Sequence, residues 1–298
     1  MSGQADSGPT VAFLGTGIMG AAMARNAAKA GLVVRAWSVP SSDAERLAED
    51  GVEAFATAAG ATAGADLVVT VVPDAKAIES FAFGPEGFLD ALDDDAIWIQ
   101  CSTVGVAGAD RLVELAAAHG ATIVDSPLLG SKVPAEEAQL IMLASGEEAA
   151  IDRCEPLFEA ISRRVVRLGR AGNGSRMKMV TNGWIMTTVA ATAEAMALAE
   201  AFGLDGMRFL EGIEGTALDN GYAQTKGRMI LAGDYPAAMR LANGAKDARL
   251  VTEATREVGL RGQVIGAAAE LMARALELGH DDEDMAATYF AAIESAGE

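Results

Sequence analysis

The sequence is poor in aromatic side chains, cysteine, histidine and basic charge. Phe, Trp and Tyr make up 5% of 298 residues, so a core must be built from Ala, Val, Leu, Ile and Met within a hydrophobic share of 51%. That share belongs to a folded chain rather than a disordered one. The two cysteines, Cys101 and Cys154, lie outside any CxxC or Cys/His cluster. A disulfide framework and a zinc site are therefore excluded, and a reducing cytoplasm is the expected setting. His119 and His280 have no metal-ligand or triad partner at a recognisable spacing, and both are expected at the surface. Lys and Arg number 23 against 42 Asp and Glu, a formal net charge of −19. Such a surface repels phosphate backbones and anionic lipid, which speaks against nucleic acid or membrane as a partner. No long apolar run is free of charge: residues 183–202 carry Glu194 and Glu200 and read as a buried helix, not a membrane span. The N-terminal MSGQADSGPT lacks the basic-then-apolar pattern of a secretion signal. Residues 1–9 are expected to fray.

What is present has a clear rhythm. The β-branched runs TVAFL, LVVRAW, DLVVTVV, AIWIQ and ATIVD alternate with Ala-rich helical stretches from Thr10 to about residue 169. Such alternation specifies βαβ units and a doubly wound, mostly parallel α/β sheet. VEAFA near Val52 is a weaker strand candidate, and residues 139–144 and 164–168 could add strands of either direction. Beyond Gly169 the spacing is helical, so residues 10–170 are assigned to a dinucleotide-binding domain and 171–298 to an all-α substrate and oligomerisation domain. A long helix over 176–202, started by the turn at Asn173, Gly174 and Ser175 and ended by Gly203, should join them. Shorter helices are expected over 206–212, 245–258, 263–278 and 284–293. The long helix is too apolar for a few short helices to cover, which predicts a homodimer or homotetramer.

The chemistry begins directly after TVAFL, where Gly15, Thr16, Gly17, Ile18, Met19 and Gly20 form GxGxxG ahead of the helical AAMARNAAKAG. In that setting the first glycine permits a tight turn and the second lets a pyrophosphate approach the backbone. The third lets helix and strand pack closely, with the helix N-terminus facing the anion. The second strand ends near Trp37 and Ser38 without the Asp or Glu that holds an NAD ribose. Ser38, Ser41 and Ser42 offer hydroxyls for a 2′-phosphate, although Arg35 lies within the strand and no arginine stands in the turn. The absent carboxylate favours NADP(H), with NAD(H) the alternative.

With this turn, the Ser102–Thr103 pair, residues 125–131 and residues 172–182 in order, the chain resembles the β-hydroxyacid dehydrogenase family over nearly its whole length. That family includes 3-hydroxyisobutyrate dehydrogenases, tartronate semialdehyde reductases and glyoxylate/succinic semialdehyde reductases. GSKVPAEEAQLIMLASG over 130–146 looks most like the last branch, whose members favour NADPH. The resemblance implies a Rossmann domain, a 6-phosphogluconate dehydrogenase-like C-terminal domain, and hydride transfer between nicotinamide and a small carbonyl or alcohol substrate.

The family's GxGxxxKxxxN motif falls on Gly172, Gly174, Lys178 and Asn182, making Lys178 the implied catalytic lysine. Lys178 and Asn182 sit at i and i+4 of one helix and emerge on one face. A partly desolvated lysine can have its pKa lowered until it donates a proton to a carbonyl oxygen. The resemblance also places Val72 and Pro73 along the cofactor, Thr103 near the nicotinamide ribose or substrate, and Lys246 at the nicotinamide end. The plainer alternative for Ser102 and Thr103 is to cap the helix that follows, and both roles can coexist. Asp247 and Asp284 read as helix-terminal carboxylates that cap or pair. The substrate loop departs from the family's D-A-P-V-S-G-G/S: Asp125, Ser126, Pro127, Leu128, Leu129, Gly130 and Ser131 put Leu129 where a serine binds the substrate carboxylate. Gly130 and Ser131 still offer N–H groups and a hydroxyl. Gln100 and Gly105 also depart from the usual surroundings of Ser102 and Thr103. Two other readings remain: an imine reductase-like enzyme, which Lys178 counts against, and an inactive dinucleotide-binding scaffold, which the Lys178–Asn182 pair counts against.

Overall fold

A computed structural model of the chain describes residues 8–293; of the N-terminal segment expected to fray, residues 1–7 lie outside them. Six strands, β1 (Thr10–Leu14), β2 (Val33–Trp37), β3 (Val52–Ala54), β4 (Leu67–Thr70), β5 (Ile97–Gln100) and β6 (Thr122–Asp125), form one sheet. Their order is β3-β2-β1-β4-β5-β6, and every pairing is parallel. A parallel sheet is covered on both faces, so its strands are apolar in succession rather than alternately. Val11, Ala12, Phe13 and Leu14 are all fully buried. Successive side chains then feed two separate cores. Val11, Phe13, Val69 and Ile99 pack with Met23 and Ala27 of the helix Ile18–Lys29. Ala12, Leu14, Val68 and Trp98 pack with Ile78, Phe88 and Leu112. Each such large side chain contributes about 1.5–3 kcal/mol, and Trp98 also satisfies its indole N–H on Thr70 Oγ1 at 3.0 Å.

The two later strand candidates join a second sheet with a strand the sequence did not announce. β7 (Leu128–Leu129) runs antiparallel to β8 (Leu140–Ala144), which runs parallel to β9 (Ser162–Arg167). From β1 the chain order departs in both directions, toward β2 and toward β4, so a crevice opens at the carboxyl ends of β1 and β4.

After β9 the described residues are helical, apart from an isolated bridge between Arg240 and Asp284. The long helix runs Asn173–Ala201, about 44 Å at 1.5 Å per residue, and Gly203 follows with φ of +68°. It is followed by Gly206–Ile213, Gly221–Ala232, Leu241–Glu257, Gln263–Glu277 and a 3₁₀ turn Met285–Ala287 leading into Thr288–Ile293. Helix Gly221–Ala232 was not expected, because Gly221 and Gly227 weaken its local propensity. Asn220 caps it, accepting from the N–H groups of Tyr222 and Ala223. A side chain at Gly227 would stand 2.6 Å from Met196 Cε and 2.8 Å from Leu210 Cδ2, so glycine there permits close packing.

Asp284 ties this part together. Its carboxylate meets Lys226 Nζ at 2.5 Å, and it accepts from the N–H groups of Ala238 and Ala286 at 3.1 and 2.9 Å. Contacts divide the chain into two compact units, one ending at Lys178 and the other starting at Met179. No helix among the described residues is long and apolar enough to cross a membrane.

Candidate active site

The glycine turn lies at the mouth of the crevice. Gly15 has φ of +107°, and a Cβ on it would stand 2.3 Å from Val71 O. A Cβ on Gly20 would stand 2.1 Å from Gly15 O. Both positions are closed to any side chain, whereas a Cβ at Gly17 would meet nothing within 4 Å. Gly17 caps the helix Ile18–Lys29 without a side-chain hydrogen bond, and no acidic residue stands in the first turn. Positive helix-end potential thus faces open space, which suits a diphosphate. The buried Thr16 Oγ1 has no hydrogen-bond partner, a further donor that fits an anionic ligand at this turn. Ile18 is exposed, and Met19 packs partly against the sheet core.

Ser38 lies behind the turn, buried, with its Oγ accepting from Thr16 N at 3.2 Å. Ser41 and Ser42 are exposed. Arg35 is turned away, donating to Ala63 O at 2.6 Å. Across the crevice, Val72 N donates to Ser102 Oγ at 2.9 Å, joining the segments that leave β4 and β5. Pro73 follows Val72 directly, and Thr103 is half-buried. The expectation that Ser102 or Thr103 caps the next helix is overturned. That helix is Gly105–Ala118, its cap position is Val104, and no side chain bonds there. Ser102 is instead held by Gln100, whose Oε1 accepts from Ser102 N at 2.5 Å.

Lys178 stands in the second turn of the long helix, half-buried, and its Nζ donates to Leu128 O at 2.8 Å. The helix start beneath it is tied down residue by residue. Asn173 Nδ2 donates to Leu168 O at 2.7 Å, Gly174 N to Ser145 Oγ at 2.8 Å, and Ser175 N to Asp125 Oδ2 at 2.8 Å. Arg176 forms a two-pronged ion pair with Asp110 at 2.9 and 2.8 Å. Leu129, in β7, is half-buried opposite Ile141. Gly130 is exposed with φ of +135°, and Ser131 precedes the short helix Lys132–Glu136 without capping it by its side chain.

Within the second unit Asn182 is buried, and its Nδ2 donates to Asp247 Oδ2 at 2.9 Å. Lys246 Nζ lies 3.0 Å from the other oxygen of the same carboxylate. Asp247 pairs as expected, but from the interior of the helix Leu241–Glu257, not from its end. Neither Asp247 nor Asp125 was assigned a site role from the sequence.

Cys101 is buried, and burial pushes its thiol well above the usual range; burial pushes Cys154 up to about 12. Both thiols are thereby held protonated and unreactive. His119 is exposed as expected, against the Phe83 ring. His280 is not: it is half-buried, stacked on Phe290 with ring centroids 3.9 Å apart.

Residues 10–169 match the family model described as the NAD binding domain of 6-phosphogluconate dehydrogenase, and residues 172–291 that described as NAD-binding of NADP-dependent 3-hydroxyisobutyrate dehydrogenase. The chain is 32% identical over 277 residues to glyoxylate/succinic semialdehyde reductase 1 of Arabidopsis thaliana, covering 93% of this chain and 96% of that protein. It is 31% identical over 278 residues to the chloroplastic reductase 2 of the same plant, covering 93% and 78%. Among solved structures, the Mycobacterium tuberculosis 3-hydroxyisobutyrate dehydrogenase with L-serine matches with a TM-score of 0.86 at 29% identity, covering 95% of this chain and 98% of that one.

Proposed function

The chain belongs to the β-hydroxyacid dehydrogenase family of NAD(P)-binding oxidoreductases, and on that premise we propose that it reduces a small aldehyde, semialdehyde or keto acid with NADPH, Lys178 donating the proton. The observation that supports this reading is the bond from Lys178 Nζ to Leu128 O at 2.8 Å, which holds the amine against residues 125–131, the segment that the resemblance implies as the substrate loop. An ammonium has three donors, so the bond to Leu128 is compatible with a second toward a substrate carbonyl oxygen. When bound, the dinucleotide supplies the hydride.

The residues of the chain then have separate tasks. Gly15 and Gly20 allow the turn to close, Gly17 leaves room for the diphosphate, Ile18 and Met19 bring their N–H groups to it, and Thr16 adds its hydroxyl. Val72, Pro73 and Thr103 border the nicotinamide half. Lys178 protonates the oxygen that becomes the alcohol, and Asn182, its amide held by Asp247, orients the substrate or the amine. Ser102, Gly130 and Ser131 shape the substrate loop, and Leu129 makes it less polar. NADP(H) is favoured over NAD(H) by the missing carboxylate after β2 and by the exposed Ser41 and Ser42. On the long helix, the exposed Val180, Trp184, Leu198 and Phe202 recur at helical spacing and support assembly into a homodimer or homotetramer.

The test is to follow loss of NADPH and NADH absorbance with a panel of semialdehydes, 2-keto acids and cyclic imines. Turnover of carbonyls with NADPH preferred supports the reading. Turnover of imines alone, or tight dinucleotide binding with no turnover, overturns it.

A further inference from the structure

We infer that Asp125 is a positioning residue: one buried carboxylate fixes the first turn of the long helix and thereby the direction from which Lys178 approaches its substrate. The inference rests on the reading of Lys178 as proton donor. Asp125 closes β6 and is 1% exposed, yet both its oxygens are engaged. Oδ1 accepts from Ser175 Oγ at 2.7 Å and Gln100 Nε2 at 3.3 Å. Oδ2 accepts from Ser175 N at 2.8 Å and Ser145 Oγ at 3.3 Å. Burial raises its pKa above the ordinary carboxylate range, and the four donors work against that rise.

A buried carboxylate is costly, and cheaper residues can fill a strand end. What this one does is order its surroundings. The N–H groups of a helix's first turn have no partner within the helix, and Asp125 satisfies that of Ser175 with a negative charge at the positive end of the dipole. Lys178 follows three positions later, on the same side of the helix. The chain leaving Asp125 reaches Leu128, whose carbonyl accepts from Lys178 Nζ. A four-residue segment therefore grips the reactive side chain at both ends, through the turn that bears it and through its terminal amine.

The surroundings leave little slack. A Cβ on Gly174 would stand 2.2 Å from Leu143 O and 2.5 Å from Asp125 O, so backbone lies directly on backbone at the helix start. Gln100 Nε2 donates both to Asp125 and to Ser102 O, at 3.0 Å for the latter, and Ser102 Oγ holds Val72 N. Through Gln100 and Ser102 the same carboxylate is linked to the ends of β4 and β5 that border the crevice.

The experiment uses the full chain with Asp125→Asn, Ser175→Ala and the double variant. It measures kcat and KM on the best carbonyl substrate, the NADPH Kd, Tm, and hydrogen exchange across residues 172–180. A misplacement of about 1 Å at a reacting group costs on the order of 100-fold. The expected result is kcat lowered by about 10- to 100-fold in Asp125→Asn, with the NADPH Kd within about twofold of the original. Ser175→Ala should lose less, and the double variant no more than Asp125→Asn alone, the non-additivity of groups acting through each other. Exchange should quicken over 172–180 and stay slow in β1, β4 and β5. A folded Asp125→Asn with unchanged kcat overturns the proposal, as do losses that multiply in the double variant. If Asp125→Asn fails to fold, Ser175→Ala and Ser145→Ala carry the same comparison of kcat against Kd. If the wild-type chain reduces no carbonyl, the reading of Lys178 fails, and exchange at 172–180 alone decides whether Asp125 anchors the helix.

Discussion

Asn182 Nδ2 donates to Asp247 Oδ2 at 2.9 Å, and both side chains are buried. The bond fixes which end of the amide Asn182 presents elsewhere, because the nitrogen is committed to Asp247. Truncating Asp247→Ala leaves a buried donor without its acceptor, a loss of about 1–3 kcal/mol. We expect kcat/KM for the carbonyl substrate to fall by about tenfold or more, with the change in orientation visible in KM as well as kcat. A lowered Tm with unaltered kcat/KM would confine Asp247 to a structural task.

Lys178→Ala should lower kcat by about 10²- to 10⁴-fold, the usual contribution of a placed general acid. Dinucleotide affinity, read by quenching of protein fluorescence, should stay within about twofold, since the diphosphate cradle is built elsewhere. Lys178→Arg should fail equally, because a guanidinium does not release its proton near neutral pH. Full turnover in either variant would remove the amine from the reaction.

The three glycines of the turn should separate by assay. Gly15→Ala and Gly20→Ala push a methyl group into backbone oxygens at 2.3 and 2.1 Å and should lower Tm. Gly17 has φ of −65° and open space around it, so Gly17→Ala should melt like the original chain. Its defect should be in NADPH Kd, weakened because the added methyl occupies the approach of the diphosphate. Equal Tm losses in all three would mean that the space at Gly17 is not a ligand approach.

Leu129 occupies the middle of the substrate loop with an alkyl side chain. Leu129→Ser restores a hydroxyl donor there, and hydrogen bonds to charged groups contribute about 1.5–3 kcal/mol. We expect kcat/KM for a short carboxylated aldehyde to rise by about tenfold or more, with little gain for an uncharged aldehyde of the same length. Equal gains for both would show that the loop does not meet the carboxylate.

Local pattern carried the reading of the sequence a long way. β1, the glycine turn and the helix after it are contiguous, and their residue types have few other uses, so strand, turn and anion cradle could be read together. β3 was legible only as a weaker candidate, and β8 and β9 were legible as strands but not in direction, since pairing partners are distant in sequence. The long helix begins three residues before its expected start because Asn173 and Ser175 are held by Leu168 and Asp125, not by local capping. Helix Gly221–Ala232 was hidden by glycines whose purpose is tertiary, the approach of Gly227 to Met196 and Leu210. At the candidate site the lysine and asparagine stood out through the resemblance of residues 172–182 to the family's GxGxxxKxxxN motif. Asp125 and Asp247 did not, because their partners, Ser175 and Asn182, lie 50 and 65 positions away.

The Lys226–Asp284 pair makes the second unit hard to dismantle piecemeal. Asp284 draws together the helix Gly221–Ala232 through Lys226, the connection at Ala238, and the terminal turn at Ala286. Neither the helix nor the terminal turn can peel away and leave the other whole, because the departure of either strands an ammonium or a carboxylate in the protein interior. Fraying from the C-terminal side should therefore stop short of Asp284, and the region it gathers should come apart in a single step.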